Sequence, residues 1–160
     1  EQEYFSYLIY LICYSIYVNN PMDKWRQNSM PKTIMLVDDI TISMVQLKEA
    51  LELKGFKVFL TDEPHKVLDS AIQNQPDLIL LDIVMPQMNG IQICEQLKTE
   101  EKTKQIPVIF LTALAQKKDV VKGIQAGAVN YIVKPYNFEE LYTRISEVIG
   151  TASGSDYVDF

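Results

Sequence analysis

The sequence predicts an α/β fold in which a five-stranded parallel sheet carries helices on both faces. Two observations support this. Between residues 31 and 150, short apolar runs alternate with longer segments whose apolar residues recur at helical spacing. The chain also has 160 residues, enough to bury the core of one domain of ordinary size. Strands that alternate with helices form right-handed βαβ units, which place helices on both sides of a parallel sheet.

The strands are predicted from five short apolar runs. In chain order they are TIMLV at 33–37, KVFL at 57–60, LILL at 78–81, PVIFLTA at 107–113 and NYIV at 130–133. Runs of this length, bounded by turn residues, are typical of strands rather than helices.

The helices are predicted from the spacing of apolar residues and from the residues that bound each segment. The first places Met44, Leu47 and Leu51 on one face and ends at Gly55. The other four run from Pro64 to Gln75, from 91 to 99, from 116 to 126 and from about Asn137, the last with Leu141, Ile145, Val148 and Ile149 on one face.

Residues 1–30 form an apolar, tyrosine-rich extension, and residues 151–160 are expected to be a linker or tail. The segment from Tyr4 to Val18 has fifteen residues without a charge. As a helix it would span about 22 Å, short of the roughly 30 Å hydrocarbon core of a bilayer. Three interpretations stay open: a membrane or signal remnant that tethers the domain, a translated artefact upstream of Met22 or Met30, and an extra packed element.

Composition excludes several classes of function. Fifteen basic against 21 acidic residues give a net charge of −6, which argues against direct nucleic-acid binding by this domain. Cys13 and Cys94 have no spacing for a disulfide or a metal, so we expect free thiols in a reducing, cytoplasmic compartment. With His65 as the single histidine, the composition argues against histidine-cluster metal sites and Ser/His/Asp catalysis.

Polar residues end or directly follow four of the predicted strands. They are Asp38 and Asp39, Asp82, Thr112, and Lys134 before Pro135. Ligands bind beyond this edge of a parallel sheet, so these side chains are expected to converge. Close carboxylates repel one another unless a cation lies among them, and oxygen ligands without His or Cys suit Mg²⁺. Alone, an aspartate pair is often a helix cap and Lys-Pro is often a turn. Their joint placement at the ends of successive strands predicts a ligand-binding site.

Residues 31–150 resemble the receiver domain of two-component response regulators. The motifs that carry the resemblance are, in order, LVDD at 36–39, LILLDIVMPQMNG at 78–90, PVIFLTA at 107–113 and GAVNYIVKPY at 127–136. The resemblance implies a flavodoxin-like, doubly wound sheet with strand order 2-1-3-4-5, an order that is known for this family.

The resemblance also assigns roles to individual residues. Asp82 would be the phosphoacceptor. The ligands of Mg²⁺ would be Asp38, Asp39, the side chain of Asp82 and the backbone carbonyl of Val84. Thr112 and Lys134 would each bind a phosphoryl oxygen. Phosphoryl transfer needs mainly positioning and positive charge on these oxygens, which such a set supplies.

The same resemblance implies a switch and a shaped loop. Thr112 would move inward on phosphorylation, and Tyr131 would take the vacated space. The response would appear on the face formed by the fourth helix, fifth strand and fifth helix. Pro86 and Gly90 would shape the loop after Asp82, and a cis Lys-Pro bond at Pro135 would direct Lys134 inward.

Two apolar residues bear on the lifetime of the phosphorylated state. Val84 and Leu114 each follow a site residue by two positions and flank the expected path of the hydrolytic water. Neither side chain can orient water, so slow self-dephosphorylation is expected. Packing is the alternative role for both.

The expected phosphoryl donor is a sensor histidine kinase or a phosphotransfer protein, because His65 has no kinase domain around it. A downstream output domain or protein would read the signal, and a homodimer could form on phosphorylation. Alternatively, the domain is excised from a larger hybrid kinase or output-enzyme chain.

A Mg²⁺-dependent aspartyl phosphatase of the haloacid-dehalogenase type is a rival function. Such an enzyme needs a second aspartate two residues after the first, where Ile40 and Val84 stand here. A flavin-binding flavodoxin module would need a Ser/Thr/Gly phosphate loop after the first strand, where two aspartates stand instead.

Overall fold

The computed structural model describes residues 30–38, 42–85 and 88–151. Tyr4–Val18, Asp39, Pro86 and residues 152–160 therefore lie outside the described residues, and the interpretations that concern them stay predictions. Within the described ranges, no helix is long and apolar enough to cross a membrane.

Five strands form one parallel sheet. They are β1 Thr33–Val37, β2 Lys57–Thr61, β3 Leu78–Leu81, β4 Val108–Thr112 and β5 Asn130–Val133. Their order is β2-β1-β3-β4-β5, with every neighbouring pair parallel. The predicted fold class and the strand order implied by the resemblance are confirmed.

In the part of the chain that the structure describes, five α-helices connect or follow the strands. They are α1 Ile42–Leu53, α2 Val67–Asn74, α3 Gly90–Thr99, α4 Lys117–Gln125 and α5 Phe138–Ile149. The second helix differs from the prediction, because Pro64 begins a 3₁₀ turn to Lys66 and the α-helix starts only at Val67. Gln75 ends α2 in the left-handed conformation with φ 44°.

The sheet separates two apolar cores. One face packs against α1 and α5, whose buried residues are Met44, Leu47 and Leu51, and Leu141 and Ile145. The other packs against α2 and α3, whose buried residues are Val67 and Ala71, and Gly90, Ile93, Cys94 and Leu97. Every residue of β3 and β4 is buried, as expected for central strands of a parallel sheet covered on both faces.

The cysteine prediction can be examined at one of the two positions. Cys94 is a free, fully buried thiol whose Sγ lies 3.4 Å from the Ala126 carbonyl oxygen. Burial raises its pKa to about 11. Cys13 lies outside the described residues.

The strand order places a crevice between β1 and β3. The chain leaves β1 toward β2 on one side, whereas β3 lies on the other side of β1. The parallel register pairs Val37 with Leu81, and the Asp82 N–H donates to the Val37 carbonyl at 2.9 Å. The residues that follow, Asp38 and Asp82, therefore emerge side by side at this crevice.

Candidate functional site

Three strands contribute to one ionic cluster at the carboxyl edge of the sheet. Lys134 follows β5 and places Nζ 2.5 Å from Asp38 Oδ2 and 3.4 Å from Asp82 Oδ2. The side chains of both aspartates are 11% exposed and that of Lys134 is 30% exposed. Asp38, Asp82 and Lys134, predicted to converge, are thus brought together.

The surroundings of Lys134 keep it charged. Burial by itself would lower the pKa of the ammonium, but the hydrogen bond to Asp38 and the charges of Asp82 and Asp38 outweigh this effect and raise the pKa. One ammonium then faces two carboxylates, so the described part of the cluster carries a net negative charge. Such a cluster attracts a further cation.

The side chain of Asp82 is held at both oxygens. The Val84 N–H donates to Asp82 Oδ1 at 3.1 Å, while Oδ2 faces Lys134. Asp82 as a whole is 9% exposed, so it is largely buried but not fully shielded from solvent. A nucleophile needs this combination of a fixed carboxylate and access from outside.

The donor set fits a magnesium ion. Asp38 and Asp82 supply carboxylate oxygens, and Lys134 between them already shows that a positive charge is stable there. Within the described ranges there is no cluster of three His, Cys, Asp or Glu residues suited to a metal. The third predicted carboxylate, Asp39, lies outside these ranges, and the Val84 carbonyl as a ligand stays a prediction.

Thr112 and Tyr131 are connected through Leu114. Thr112 is fully buried at the end of β4, and its Oγ1 lies 3.4 Å from the Leu114 N–H that donates to it. The Tyr131 hydroxyl donates to the Leu114 carbonyl oxygen at 2.9 Å. Burial first, and then the charges of Asp119 and Asp82, raise the pKa of Tyr131. A displacement of Thr112 would therefore reach Tyr131 through a single intervening residue.

The loop after β3 is tightly packed against α3. An ideal Cβ on Gly90 would lie only 2.0 Å from the Asp82 carbonyl oxygen. The Gly90 N–H also donates to the Ile83 carbonyl oxygen at 2.9 Å. Gly90 thus fixes the distance between α3 and the backbone of Asp82.

The bond between Lys134 and Pro135 is cis, as the resemblance implies.

Two features of this region were not predicted from the sequence. The Lys134–Asp38 pair joins residues 96 positions apart, and no local pattern signals it. The close contact of Gly123 with Tyr131 was also missed. A lone glycine in the middle of an amphipathic helix is the signal that could have drawn attention to it.

Comparisons with known proteins extend over the described domain. Residues 34–146 match the family described as response regulator receiver domain. The chain is 37% identical over 121 residues to the DNA-binding transcriptional regulator RpaA of Synechocystis sp., covering 75% of this chain and 49% of RpaA. It is 34% identical over 123 residues to the response regulator DivK of Brucella anthropi, covering 77% of this chain and all of DivK. The chain thus spans about half the length of RpaA and the full length of DivK.

Two solved structures have the same fold as the described domain. A response regulator from Chloroflexus aurantiacus superposes with a TM-score of 0.71 at 28% identity, covering 74% of this chain and 98% of that chain. The receiver domain of a Pseudomonas aeruginosa sensor histidine kinase superposes with a TM-score of 0.69 at 28% identity, covering 76% and 99%. In that receiver domain a magnesium ion is coordinated in the active-site cleft.

Proposed function

Because the chain belongs to the family of response regulator receiver domains, we propose that it is a phosphoacceptor module in which Asp82 receives the phosphoryl group. The donor is a sensor histidine kinase or a phosphotransfer protein. The observation that supports this assignment best is the ionic cluster, in which Lys134 lies between Asp38 and Asp82. The module is a signalling protein rather than a conventional enzyme.

The transfer forms one bond and breaks one. A carboxylate oxygen of Asp82 bonds to phosphorus as the bond from phosphorus to the donor nitrogen breaks, which leaves an acyl phosphate on Asp82. The Val84 N–H, 3.1 Å from Asp82 Oδ1, holds the carboxylate in place. Lys134 offers positive charge to the incoming phosphoryl oxygens, and Thr112 offers its hydroxyl. Asp38, Asp39, Asp82 and the Val84 carbonyl would hold Mg²⁺, which would supply further charge neutralisation.

The phosphoryl group adds negative charge and hydrogen-bond acceptors beside Thr112. The proposed response is a shift of Thr112 toward the phosphoryl group, followed by Tyr131. The contacts of Leu114 with both residues, at 3.4 and 2.9 Å, support this route. The change would then alter the face formed by α4, β5 and α5, where Val121 and Ile124 are exposed.

The donor and the output are proposed in general terms. An apolar groove of about 600 Å³ between α1 and the segment after β5 includes Lys134 and Pro135 in its lining, and it supports docking of the donor beside the site. The output domain or protein would bind the α4–β5–α5 face, and a homodimer through that face on phosphorylation is part of the proposal. A domain within a hybrid kinase or output-enzyme chain would work in the same way, in the cytoplasm.

Metal removal tests the proposed chemistry. Incubation with acetyl phosphate and Mg²⁺ should add the mass of one phosphoryl group, which hydroxylamine removes because it cleaves acyl phosphates. EDTA should suppress the addition, because two carboxylates and one ammonium would then face the incoming anion without the metal. Intact-protein mass spectrometry measures both conditions. Equal labelling with and without EDTA would contradict the assigned role of the metal.

The lifetime of the acyl phosphate is expected to be long. Val84, which is 58% exposed, and Leu114 line one groove of about 390 Å³ that runs beside the residues after Asp82. Water in this groove meets apolar side chains at both positions, and neither can accept a proton from it.

Polar side chains at these positions should shorten the lifetime. Val84→Asn together with Leu114→Glu would orient water in the groove, and the dephosphorylation rate should rise by about 10- to 100-fold. The decay of the phosphorylated mass after removal of the donor measures it. Val129→Asn with Leu53→Glu, which places the same side chains at exposed positions outside the groove, should leave the rate unchanged. An unaltered rate in the groove variant would show that these residues only pack.

A further inference from the structure

Helix α4 has one buried residue, and it is a glycine. Gly123 lies in the middle of Lys117–Gln125, where the other side chains are exposed or half-buried. Glycine weakens a helix interior relative to alanine because it loses more backbone freedom on folding. Its φ is not positive, so the backbone conformation does not require glycine. The reason for glycine must lie in the space around it.

That space is filled by two aromatic rings. An ideal Cβ at position 123 would lie 2.9 and 3.1 Å from Cδ2 and Cε2 of Tyr131, and 3.0 Å from Cδ2 of Phe110. Carbon atoms in favourable contact are separated by about 3.5–4.0 Å, so a methyl group would displace a ring. Phe110 is fully buried in β4, and because protein interiors are close-packed, its ring is the harder of the two to displace. Tyr131 is half-buried, so its ring is the one that a methyl group at position 123 would displace.

The position of the Tyr131 ring determines whether its hydroxyl can donate a hydrogen bond to Leu114. The ring lies 5.9 Å from that of Phe110, at 57°, and in this position its hydroxyl reaches the Leu114 carbonyl. The Leu114 N–H in turn donates to Thr112 Oγ1. The contact between helix and ring therefore lies at the end of the proposed route from Asp82.

We propose that Gly123 is the positioning residue of the switch, because its missing side chain creates the inward place that the Tyr131 ring occupies. This proposal rests on the proposed function, in which Tyr131 transmits phosphorylation of Asp82. A side chain at position 123 would hold the ring outward, away from Leu114. Phosphoryl transfer itself would continue, since Gly123 touches neither the carboxylates nor Lys134.

The response of the ring can be observed directly. In protein labelled with fluorotyrosine, with the Tyr131 signal assigned from Tyr131→Phe, Mg²⁺ and beryllofluoride should shift the ¹⁹F resonance. In Gly123→Ala the shift should fall to less than half, although acetyl phosphate still labels the protein fully. Gln125→Ala, an exposed position of the same helix, should respond like the unaltered protein.

The outcomes separate the two proposals. If the ¹⁹F resonance of Tyr131 in the unaltered protein does not shift on addition of Mg²⁺ and beryllofluoride, the proposed switch is overturned. A shift of equal size in unaltered protein and Gly123→Ala would overturn the role of Gly123 and leave the switch intact.

A second measurement covers the case in which Gly123→Ala folds poorly. Thermal unfolding should show that Gly123→Ala lowers the Tm of the unaltered protein by at least about 3 °C more than it lowers the Tm of a Tyr131→Ala background, where the new methyl group meets Phe110 but no longer meets Tyr131. The same Tm change in both backgrounds, or a double variant that fails to fold although Tyr131→Ala alone folds, would show that the contact with Tyr131 is not what requires glycine at position 123, and would overturn the proposal.

Discussion

Asp82→Asn should abolish phosphoryl uptake from acetyl phosphate and Mg²⁺. The amide is not nucleophilic, so labelling should fall by at least about 100-fold. The substitution preserves shape, and an amide oxygen can still accept the Val84 N–H that Asp82 Oδ1 now accepts at 3.1 Å. It also removes one of two negative charges beside Lys134, so the fold should be retained. Intact-protein mass spectrometry after a fixed incubation, with circular dichroism to confirm folding, measures the effect.

A matched variant controls for loss of an aspartate elsewhere. Asp69→Asn removes an exposed carboxylate on α2 and should label like the unaltered protein. Full labelling of Asp82→Asn would place the acceptor on another residue and refute the assignment. Peptide mapping of the unaltered protein should find the added phosphoryl group on the segment that contains Asp82.

Of the single substitutions discussed, Gly90→Ala should lower the free energy of unfolding most. Its Cβ would lie 2.0 Å from the Asp82 carbonyl oxygen and 2.8 Å from Ile83 Cα, and both are backbone atoms that cannot rotate away. Overpacking costs about 1–3 kcal/mol where side chains can adjust, so a clash with backbone should lower the free energy of unfolding by about 3 kcal/mol or more. The urea midpoint, at unchanged m-value, measures this loss.

Gly90→Ala should also impair phosphorylation, because relief of the clash displaces the backbone that carries Asp82. Glu95→Ala, on the exposed side of the same helix, is the control and should change stability by no more than about 0.5 kcal/mol. A midpoint for Gly90→Ala close to that of the control would mean that the loop accepts a methyl group without strain.

Much of the fold could be predicted because strands in a parallel sheet have a simple signature. The bounds of β1, β3 and β5 agree with the apolar runs at 33–37, 78–81 and 130–133. β4 is shorter than its run, which began at Pro107; proline has no N–H to donate to a neighbouring strand, although its carbonyl accepts from Ile79. Apolarity locates a strand, but its ends depend on hydrogen bonds.

The candidate site could be predicted only in part. Ligands bind at the carboxyl edge of a parallel sheet, and this rule alone predicted that Asp38, Asp82 and Lys134 lie close together. It could not indicate that Lys134 pairs with Asp38, because this contact depends on how three strands are placed in space. The contacts of Gly123 were missed for the same reason, since Phe110 and Tyr131 belong to β4 and β5 rather than to the helix that carries the glycine. The roles of Asp39 and Pro86 stay predictions.

The span of the Lys134 contacts has a consequence for protein synthesis. Lys134 meets carboxylates that precede it by 96 and 52 residues. A nascent chain therefore exposes both aspartates well before the ammonium that faces them leaves the ribosomal tunnel. Until then the acidic crevice lacks its ammonium, so on the proposed function the domain becomes able to bind a phosphoryl group only after β5 and Lys134 have emerged.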